Sequence, residues 1–202
     1  GDFEKKQALS LIKKHFGKHN SSEHNIPDMY TSEPKQEGSR RTEIKRVGQT
    51  SIVGVAHKTP PGLHRDIYSF QLLGKILTDG KTSRFHKKII DKGLATSLFL
   101  CDFPFKDNGL FITYVFLTPE TKHDQIEQIV LIEYEDIIQK GVTADELLRA
   151  KAQMRASVAF SRDGSYAVAS ALNEAIAIGD WTFYTTFIDK IDSITISDVQ
   201  ET

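Results

Sequence analysis

The chain has 202 residues, of which 39% are apolar and 26% are charged, with a formal net charge of −1 at pH 7. This length and apolar content suffice to bury a core. The charges are nearly balanced and form no basic stripe, which argues against nucleic-acid binding. The single cysteine, Cys101, excludes an internal disulfide, and no run of roughly 18 apolar residues is present to span a membrane.

The first residues predict a helix followed by a long connection. Apolar residues at helical spacing run from Ala8 to Phe16 and end at Gly17. From Lys18 to Lys45 they nearly vanish, and polar residues, proline and glycine dominate. A structureless stretch of this length is unusual inside a compact domain, so we place a domain boundary here. Since Gly1 is not preceded by an initiator methionine or a signal-peptide pattern, we expect a fragment of a longer protein.

The next part of the chain predicts a strand, two helices and a hairpin. The run Ile52 to Ala56 is short, continuous and rich in β-branched residues, as in a strand buried on both faces. Asp79-Gly80 is predicted to end a helix, and Lys106 to Gly109 is a hairpin turn signal. The predicted elements are a strand at 49–57, helices at 67–77 and 83–92, and strands at 96–103 and 110–117.

Gly80-Lys81-Thr82 has the ending of a phosphate-binding loop, but the rest of that motif is missing. The motif requires a glycine five residues before its second glycine. Position 75 is Lys75, and the nearest glycine, Gly74, is one residue out of register. The segment before it has helical periodicity instead of that of a buried strand. The sequence therefore argues against a nucleotide-binding site.

The second half of the chain is predicted to be helical. Thr143 and Glu146 have the spacing of a capping box at a helix start, and Thr195 to Asp198 is a second cap. The paired carboxylates, such as Glu133 with Glu135, are placed on the polar side of their helix. The predicted helices cover residues 126–138, 144–160, 165–178 and 181–191. Strands first and helices after predict an α+β fold, a mostly antiparallel sheet with helices packed on one face.

No catalytic or metal-ligating set is predicted from the residues. His15 and His19 are four apart, but Gly17 ends the helix between them. His19 and His24 have a spacing of five, which points them in different directions on a helix. His57 lies at a strand end, where a hydrogen-bonded structural histidine is predicted. A serine nucleophile elbow is also missing.

Several short motifs nevertheless occur in an order that resembles a known family. They are Gly1-Asp2-Phe3, Phe16-Gly17, Glu33 to Gly38, His57 to Pro60, Ile76-Leu77 through Ala95, Gly141-Val142-Thr143, Glu146-Leu147, Ala150-Lys151 and Gly179-Asp180-Trp181. Together they resemble bacterial members of the insulinase and pitrilysin family of zinc peptidases, over nearly the whole chain.

The resemblance implies a peptidase built from repeated homologous α+β domains that enclose a chamber. Residues 1–17 resemble the last strand and helix of the first repeat, residues 18–47 an extended connection, and residues 48–202 a second, catalytically inactive repeat truncated at its C-terminus. Zinc would be held by a His-x-x-Glu-His motif in the preceding domain, since this chain has no such motif. A later repeat in the family supplies an Arg and a Tyr, and the corresponding positions here are Ile89 and Thr96.

The resemblance also implies a substrate-binding site away from the zinc. In the insulin-degrading members a glycine-rich turn and the adjoining strand hold the end of the substrate peptide. The corresponding residues here are Asp79, Gly80, Lys81, Leu98 and Phe99. The turn differs from that subgroup, because Lys81-Thr82 replaces its second glycine. A strand edge binds peptides through main-chain hydrogen bonds and so accepts many sequences.

Two functions fit this resemblance. The first is a non-catalytic domain of a zinc metalloendopeptidase that forms part of the substrate chamber. The alternative is a domain of a non-enzymatic structural or partner subunit that kept the fold. The expected partners are a peptide or unfolded polypeptide and other homologous domains, in the same chain or a paired subunit. The expected location is the bacterial periplasm or cell envelope.

Overall fold

The computed structural model describes residues 2–21, 34–48 and 50–202, and the chain divides into two compact units, Gly1–Val47 and Gly48–Thr202. In the first unit, α1 spans Lys5–Phe16, as predicted, and residues 34–48 form neither helix nor strand. The helix ends where the Gly17 N–H donates to the Lys13 carbonyl at 2.9 Å. The middle of the predicted connection, with His24 and Glu33, lies outside the described residues.

The second unit contains a three-stranded antiparallel sheet. Its strands are β1 (Ser51–Pro61), β2 (Ala95–Phe103) and β3 (Asn108–Leu117), in the order β1-β3-β2. Both pairings are antiparallel, which confirms the predicted hairpin and the α+β fold. The hairpin depends on Gly109, because a Cβ atom there would lie 2.1 Å from the Phe103 carbonyl oxygen.

Within the second unit, the described helices cover one face of the sheet. In β3 the side chains of Phe111, Thr113 and Val115 are buried, whereas those of the two residues between them keep exposed surface. In β1, Val53 and Val55 are half-buried, while Ile52 is 48% exposed. The prediction that β1 is buried on both faces is therefore wrong. The β-branched run fits a pleated sheet surface, and that preference does not reveal how many faces are covered.

The helices follow the predicted order. They are α2 (Asp66–Thr78), a π-helical turn (His86–Ile90), α3 (His123–Lys140), α4 (Ala144–Ser161), α5 (Ser165–Ile178), α6 (Thr182–Ser193) and α7 (Ile196–Glu201). Apart from α5, their inner faces and the covered side of the sheet form one hydrophobic core. None of the helices in the described ranges has the length and apolarity needed to cross a bilayer.

Local sequence signals fix where these helices begin and how closely they approach the sheet. The Thr143 hydroxyl accepts from the Glu146 N–H at 3.2 Å, and the Thr143 N–H donates to Glu146 at 2.9 Å. Thr195 and Asp198 form the same arrangement at the start of α7, so both predicted capping boxes are confirmed. Gly74 lets α2 lie on the sheet, because a Cβ there would approach the Leu100 side chain to 3.3 Å.

Glu133 departs from its predicted place on the polar side of α3. Its side chain is only 1% exposed and forms ion pairs with Arg84, at 3.1 Å, and with Lys88. Arg84 also makes two 2.7 Å hydrogen bonds to Glu146. The carboxylate is buried because cations from the π-helical turn and from the residues just before it lie over it. Helical periodicity cannot reveal such partners.

Candidate functional site

A groove of about 540 Å³ lies between α2 and β2. Its lining residues are Phe70, Gln71, Gly74, Lys75, Thr78 and Asp79 from the α2 side and Leu98, Phe99, Leu100, Cys101, Asp102 and Phe103 from β2. Successive side chains of a strand point to opposite faces of its sheet. A groove lined by six consecutive residues of β2 must therefore run along the edge of that strand.

The edge of β2 is free along the groove. Among the described residues β2 pairs with β3 alone, so the main-chain groups on its other side have no partner strand. Register with β3 is unbroken from Ser97 to Phe103, a length of roughly 20 Å at about 3.4 Å per residue. Unpaired N–H and C=O groups in such a row form a template for a further strand.

The structure brings together three of the five predicted site residues. Asp79, Leu98 and Phe99 all line the groove. Gly80 and Lys81 lie in the turn just beyond its end, where Gly80 has a φ of 75° and accepts a 2.8 Å hydrogen bond from the Ser83 hydroxyl. The Lys81 side chain is exposed. The binding role of all five residues stays a prediction.

Two charged groups of the groove neutralise each other, and a third has no cationic partner among the described residues. Lys75 Nζ lies 2.8 Å from Asp79 Oδ2, one helical turn away. Asp102 Oδ2 accepts a 2.6 Å hydrogen bond from the Gln71 amide, while its Oδ1 is buried without a hydrogen-bond partner in the described part of the chain. Burial raises the pKa of Asp102 to about 6, although the Gln71 hydrogen bond opposes this shift.

The sequence reasoning missed Asp102 and the α2 side of the groove. A usable signal was present, because Leu98, Leu100 and Asp102 occupy alternate positions of β2 and share its helix-facing side. A carboxylate that continues an inward-facing apolar row marks a buried polar group, which needs a partner. Cys101 is partly exposed and lines the groove.

The open face of the sheet next to the groove is aromatic. Phe99, 44% exposed, has its ring centroid 5.3 Å from that of Tyr114 and 5.6 Å from that of Phe116. Ile52 lies opposite Phe116 on β1, so the apolar surface continues across all three strands. This surface would contact the outward-facing side chains of a chain bound at the β2 edge.

His57 belongs to the helix-covered side of the sheet and not to the groove. Its ring keeps exposed surface but packs edge-on against Tyr134, with centroids 4.8 Å apart, and desolvation lowers its pKa. The hydrogen bond at this place joins Thr113 and Tyr134 hydroxyls, at 2.6 Å. The contact described for His57 is thus aromatic, whereas the sequence predicted a hydrogen bond.

The groove can hold a chain but has few groups for chemistry. Within residues 2–21, 34–48 and 50–202 no three His, Cys, Asp or Glu side chains lie close enough together to bind a metal ion. These residues therefore do not fit a zinc site. At the positions of the family's Arg and Tyr, Ile89 is fully buried and Thr96 donates to the Phe116 carbonyl at 3.2 Å.

Comparison with known proteins identifies relatives for most of the chain. Residues 1–154 match the family described as peptidase M16 inactive domain. The chain is 25% identical to zinc protease PqqE of Helicobacter pylori over 98% of its own length and 46% of that protein. It is also 25% identical to an uncharacterized zinc protease of Streptomyces coelicolor, over 84% of its length and 39% of that protein. A crystal structure of a protease from Helicobacter pylori superposes with a TM-score of 0.89, at 25% identity, over 100% of this chain and 49% of that one.

These matches confirm the resemblance that the motifs indicated, to the inactive domain of a zinc-peptidase family. The chain spans less than half the length of the two curated relatives.

Proposed function

This chain belongs to the peptidase M16 inactive domain family, and we propose that it is the non-catalytic, substrate-binding domain of a zinc metalloendopeptidase. Its relatives named zinc proteases support the zinc-dependent activity of the whole protein. In this proposal the metal is held by another domain of the same polypeptide or of a paired subunit, because the described residues here do not fit a zinc site.

The observation that carries the proposal is the groove along the free edge of β2. An extended substrate segment would add to the sheet as a fourth strand beside β2, with its backbone bonded to unpaired main-chain groups. The other edge is a poorer template, since β1 ends in Pro60 and Pro61, which lack amide hydrogens. Main-chain recognition accepts many sequences, as a protease acting on unfolded polypeptides requires.

The aromatic open face supports a second part of the proposal, a place in the wall of a substrate chamber. Phe99, Tyr114 and Phe116 form an apolar surface that continues from the β2 edge. A chamber wall of this kind would bind apolar side chains of an unfolded substrate and would not require a particular substrate sequence. A homologous domain would enclose the chamber from the other side.

The binding step can be tested with peptides and the full-length protein. The probe is a fluorescein-labelled nonapeptide of alternating threonine and valine, acetylated and amidated. Its control has the same sequence with N-methyl groups on its five central amides. Fluorescence anisotropy should show saturable binding of the first peptide and at least tenfold weaker binding of the second, because N-methylation removes the strand hydrogen bonds. Absence of binding, or equal binding of both peptides, would refute the proposed function.

Kinetics of the full-length enzyme test whether the Asp79–Lys81 turn contributes. Gly80→Phe should raise KM for long peptides and spare short ones, because a side chain at a φ of 75° distorts the turn that follows Asp79. Gly93→Phe is the matched control, since Gly93 has a φ of 69° but belongs to the turn before β2 and not to the Asp79–Lys81 turn. Unchanged kinetics for both lengths in the Gly80 variant would remove the turn from the binding site.

The alternative is a domain of a non-enzymatic partner subunit. It predicts that the polypeptide containing this chain has no His-x-x-Glu-His motif and no peptidase activity. The proposed function predicts the motif in that polypeptide or its paired subunit, and peptide hydrolysis that a zinc chelator abolishes. Sequencing the parent gene and one assay of the purified protein distinguish the two.

A further inference from the structure

The most unusual group of the groove is the Asp102 carboxyl. It lies on β2 on the same side as Leu98 and Leu100, facing α2, and the side chain is only partly covered. Gln71 satisfies Oδ2 at 2.6 Å, but Oδ1 is buried and accepts no hydrogen bond within the described ranges. A buried acceptor without a partner lowers stability and is therefore uncommon in folded proteins.

The surrounding charges do not compensate Asp102. Among the described residues that line the groove Lys75 is the cation, and it is held by Asp79 at 2.8 Å and by the Ser157 hydroxyl at 3.2 Å. Across the sheet, Phe111 lies opposite Asp102, and His57 lies opposite Phe111 in the same cross-strand row. Burial lowers the pKa of His57 and so favours its neutral form. Asp102 thus gives its end of the groove a negative charge above its raised pKa.

The geometry of strand addition determines what would meet this charge. In an antiparallel or parallel pair, residues opposite each other project from the same face, with Cβ atoms about 5 Å apart. A peptide residue beside Asp102 would therefore direct its side chain toward α2, into the part of the groove lined by Gln71 and Asp102. The partly exposed Asp102 side chain lines that part of the groove.

We propose that Asp102 makes the groove selective for extended peptides with a lysine or arginine side chain at the position beside it. This inference rests on the proposed function and adds a substrate class to it. A long basic side chain supplies both the donor and the positive charge that Asp102 lacks, through a charge-assisted hydrogen bond. Gln71, a neutral donor already bonded to the other oxygen, positions the carboxyl.

The test uses the full-length protein and a set of acetylated, amidated threonine–valine nonapeptides. A single lysine is moved through positions 3 to 7, and each lysine peptide is compared with its norleucine counterpart, which has a similar length but no charge. We expect one lysine position to bind about tenfold more tightly than norleucine, because hydrogen bonds to charged groups are among the stronger ones. Asp102→Asn should abolish this preference, so that this variant binds each lysine peptide and its norleucine counterpart equally within about twofold.

Asp107→Asn is the matched control, since it removes the same charge from the exposed β2–β3 turn outside the groove. It should keep the lysine preference. A pH series on the unmodified protein gives independent evidence if Asp102→Asn fails to fold. The preference should fall as pH decreases through about 6, where Asp102 becomes protonated.

The possible outcomes distinguish failure of this inference from failure of the proposed function on which it rests. Binding of all peptides without a lysine preference, or a preference that survives Asp102→Asn or a fall in pH to 5, would overturn the selectivity and leave strand addition standing. Failure of every unmethylated peptide to bind would overturn both.

Discussion

At the scale of single residues, the sequence predicted local hydrogen bonding but not distant charge partners. The Thr143–Glu146 capping box could be read from the chain because its members are three residues apart. The burial of Glu133 could not be predicted, because the cations that cover it come from a segment some 50 residues earlier in the chain. Arg84 joins Glu133, Glu146 and the Gly141 carbonyl, so it connects three segments.

Loss of the Glu146 charge should destabilise the protein. In Glu146→Gln the capping hydrogen bonds to Thr143 remain available, whereas the paired charge opposite Arg84 is lost. We expect the free energy of unfolding to fall by about 1–3 kcal/mol, measured by urea denaturation at pH 7. Glu135→Gln is the control on exposed surface and should change it by less than about 0.5 kcal/mol. Equal effects of both variants would contradict the assigned role.

The pH dependence of that effect follows from the Glu146 pKa. Hydrogen bonds from Arg84, the largest cause, lower the pKa to about 2 from a usual 4.5. A depressed carboxyl pKa stabilises the folded state above the unfolded value and ceases to do so as pH falls through the folded value. The stability difference between the wild type and Glu146→Gln should therefore be full above pH 4.5 and shrink toward pH 2. A difference that stays constant from pH 6 to pH 2 would disprove the linkage.

Asp102 should show the opposite sign. Burial raises its pKa from 3.8 to about 6, so ionisation lowers the stability of the folded state as pH rises between these values. Relative to the wild type, Asp102→Asn should gain about 1 kcal/mol between pH 4 and pH 8, allowing for partial exposure of the carboxyl. Urea denaturation at both pH values measures this gain. With Asp107→Asn as the control on exposed surface, a gain of the same size there would assign the effect to net charge.

At the scale of elements, periodicity predicted the helices and the hairpin but not the faces they bury. The β-branched run of β1 indicated a strand and left its burial undetermined, because the same residues suit an open sheet surface. Similarly, the free edge of β2 depends on strand order, which the sequence does not encode locally. The groove also requires α2 beside that edge, where Gly74 permits the close approach of the helix to β2. The sequence alone does not predict this contact.

The β2–β3 hairpin gives a prediction at this scale. Gly109→Ala should lower stability by about 1–3 kcal/mol, since the new Cβ would lie 2.1 Å from a backbone oxygen that cannot move without bending β2. Gly54→Ala is the matched control on the same sheet, where the Cβ would lie 3.6 Å from the Tyr114 ring at ordinary contact distance. Thermal unfolding should separate the two variants clearly. Similar melting temperatures would show that the hairpin tolerates a side chain at Gly109.

At the scale of the whole molecule, motif order predicted more than any single motif. The order of the motifs predicted the family of the chain, and the match of residues 1–154 to that family confirmed the prediction. The same reasoning gave Asp79, Leu98 and Phe99, which the structure brings together in one groove. It missed the pairing of Asp102 with Gln71, because their contact joins α2 to β2 across 31 residues of sequence. Long-range contacts of this kind define the groove and its charge.

The central claim, that substrate adds to the free edge of β2, is tested most directly by amide hydrogen exchange of the full-length protein with and without saturating threonine–valine nonapeptide. A bound strand would protect the outward-facing amides of β2 between Ser97 and Phe103, because they become hydrogen-bonded. We expect slower exchange there, with the β1 amides unchanged. Protection of β1 or of other segments, with β2 exchanging as in the free protein, would contradict the account.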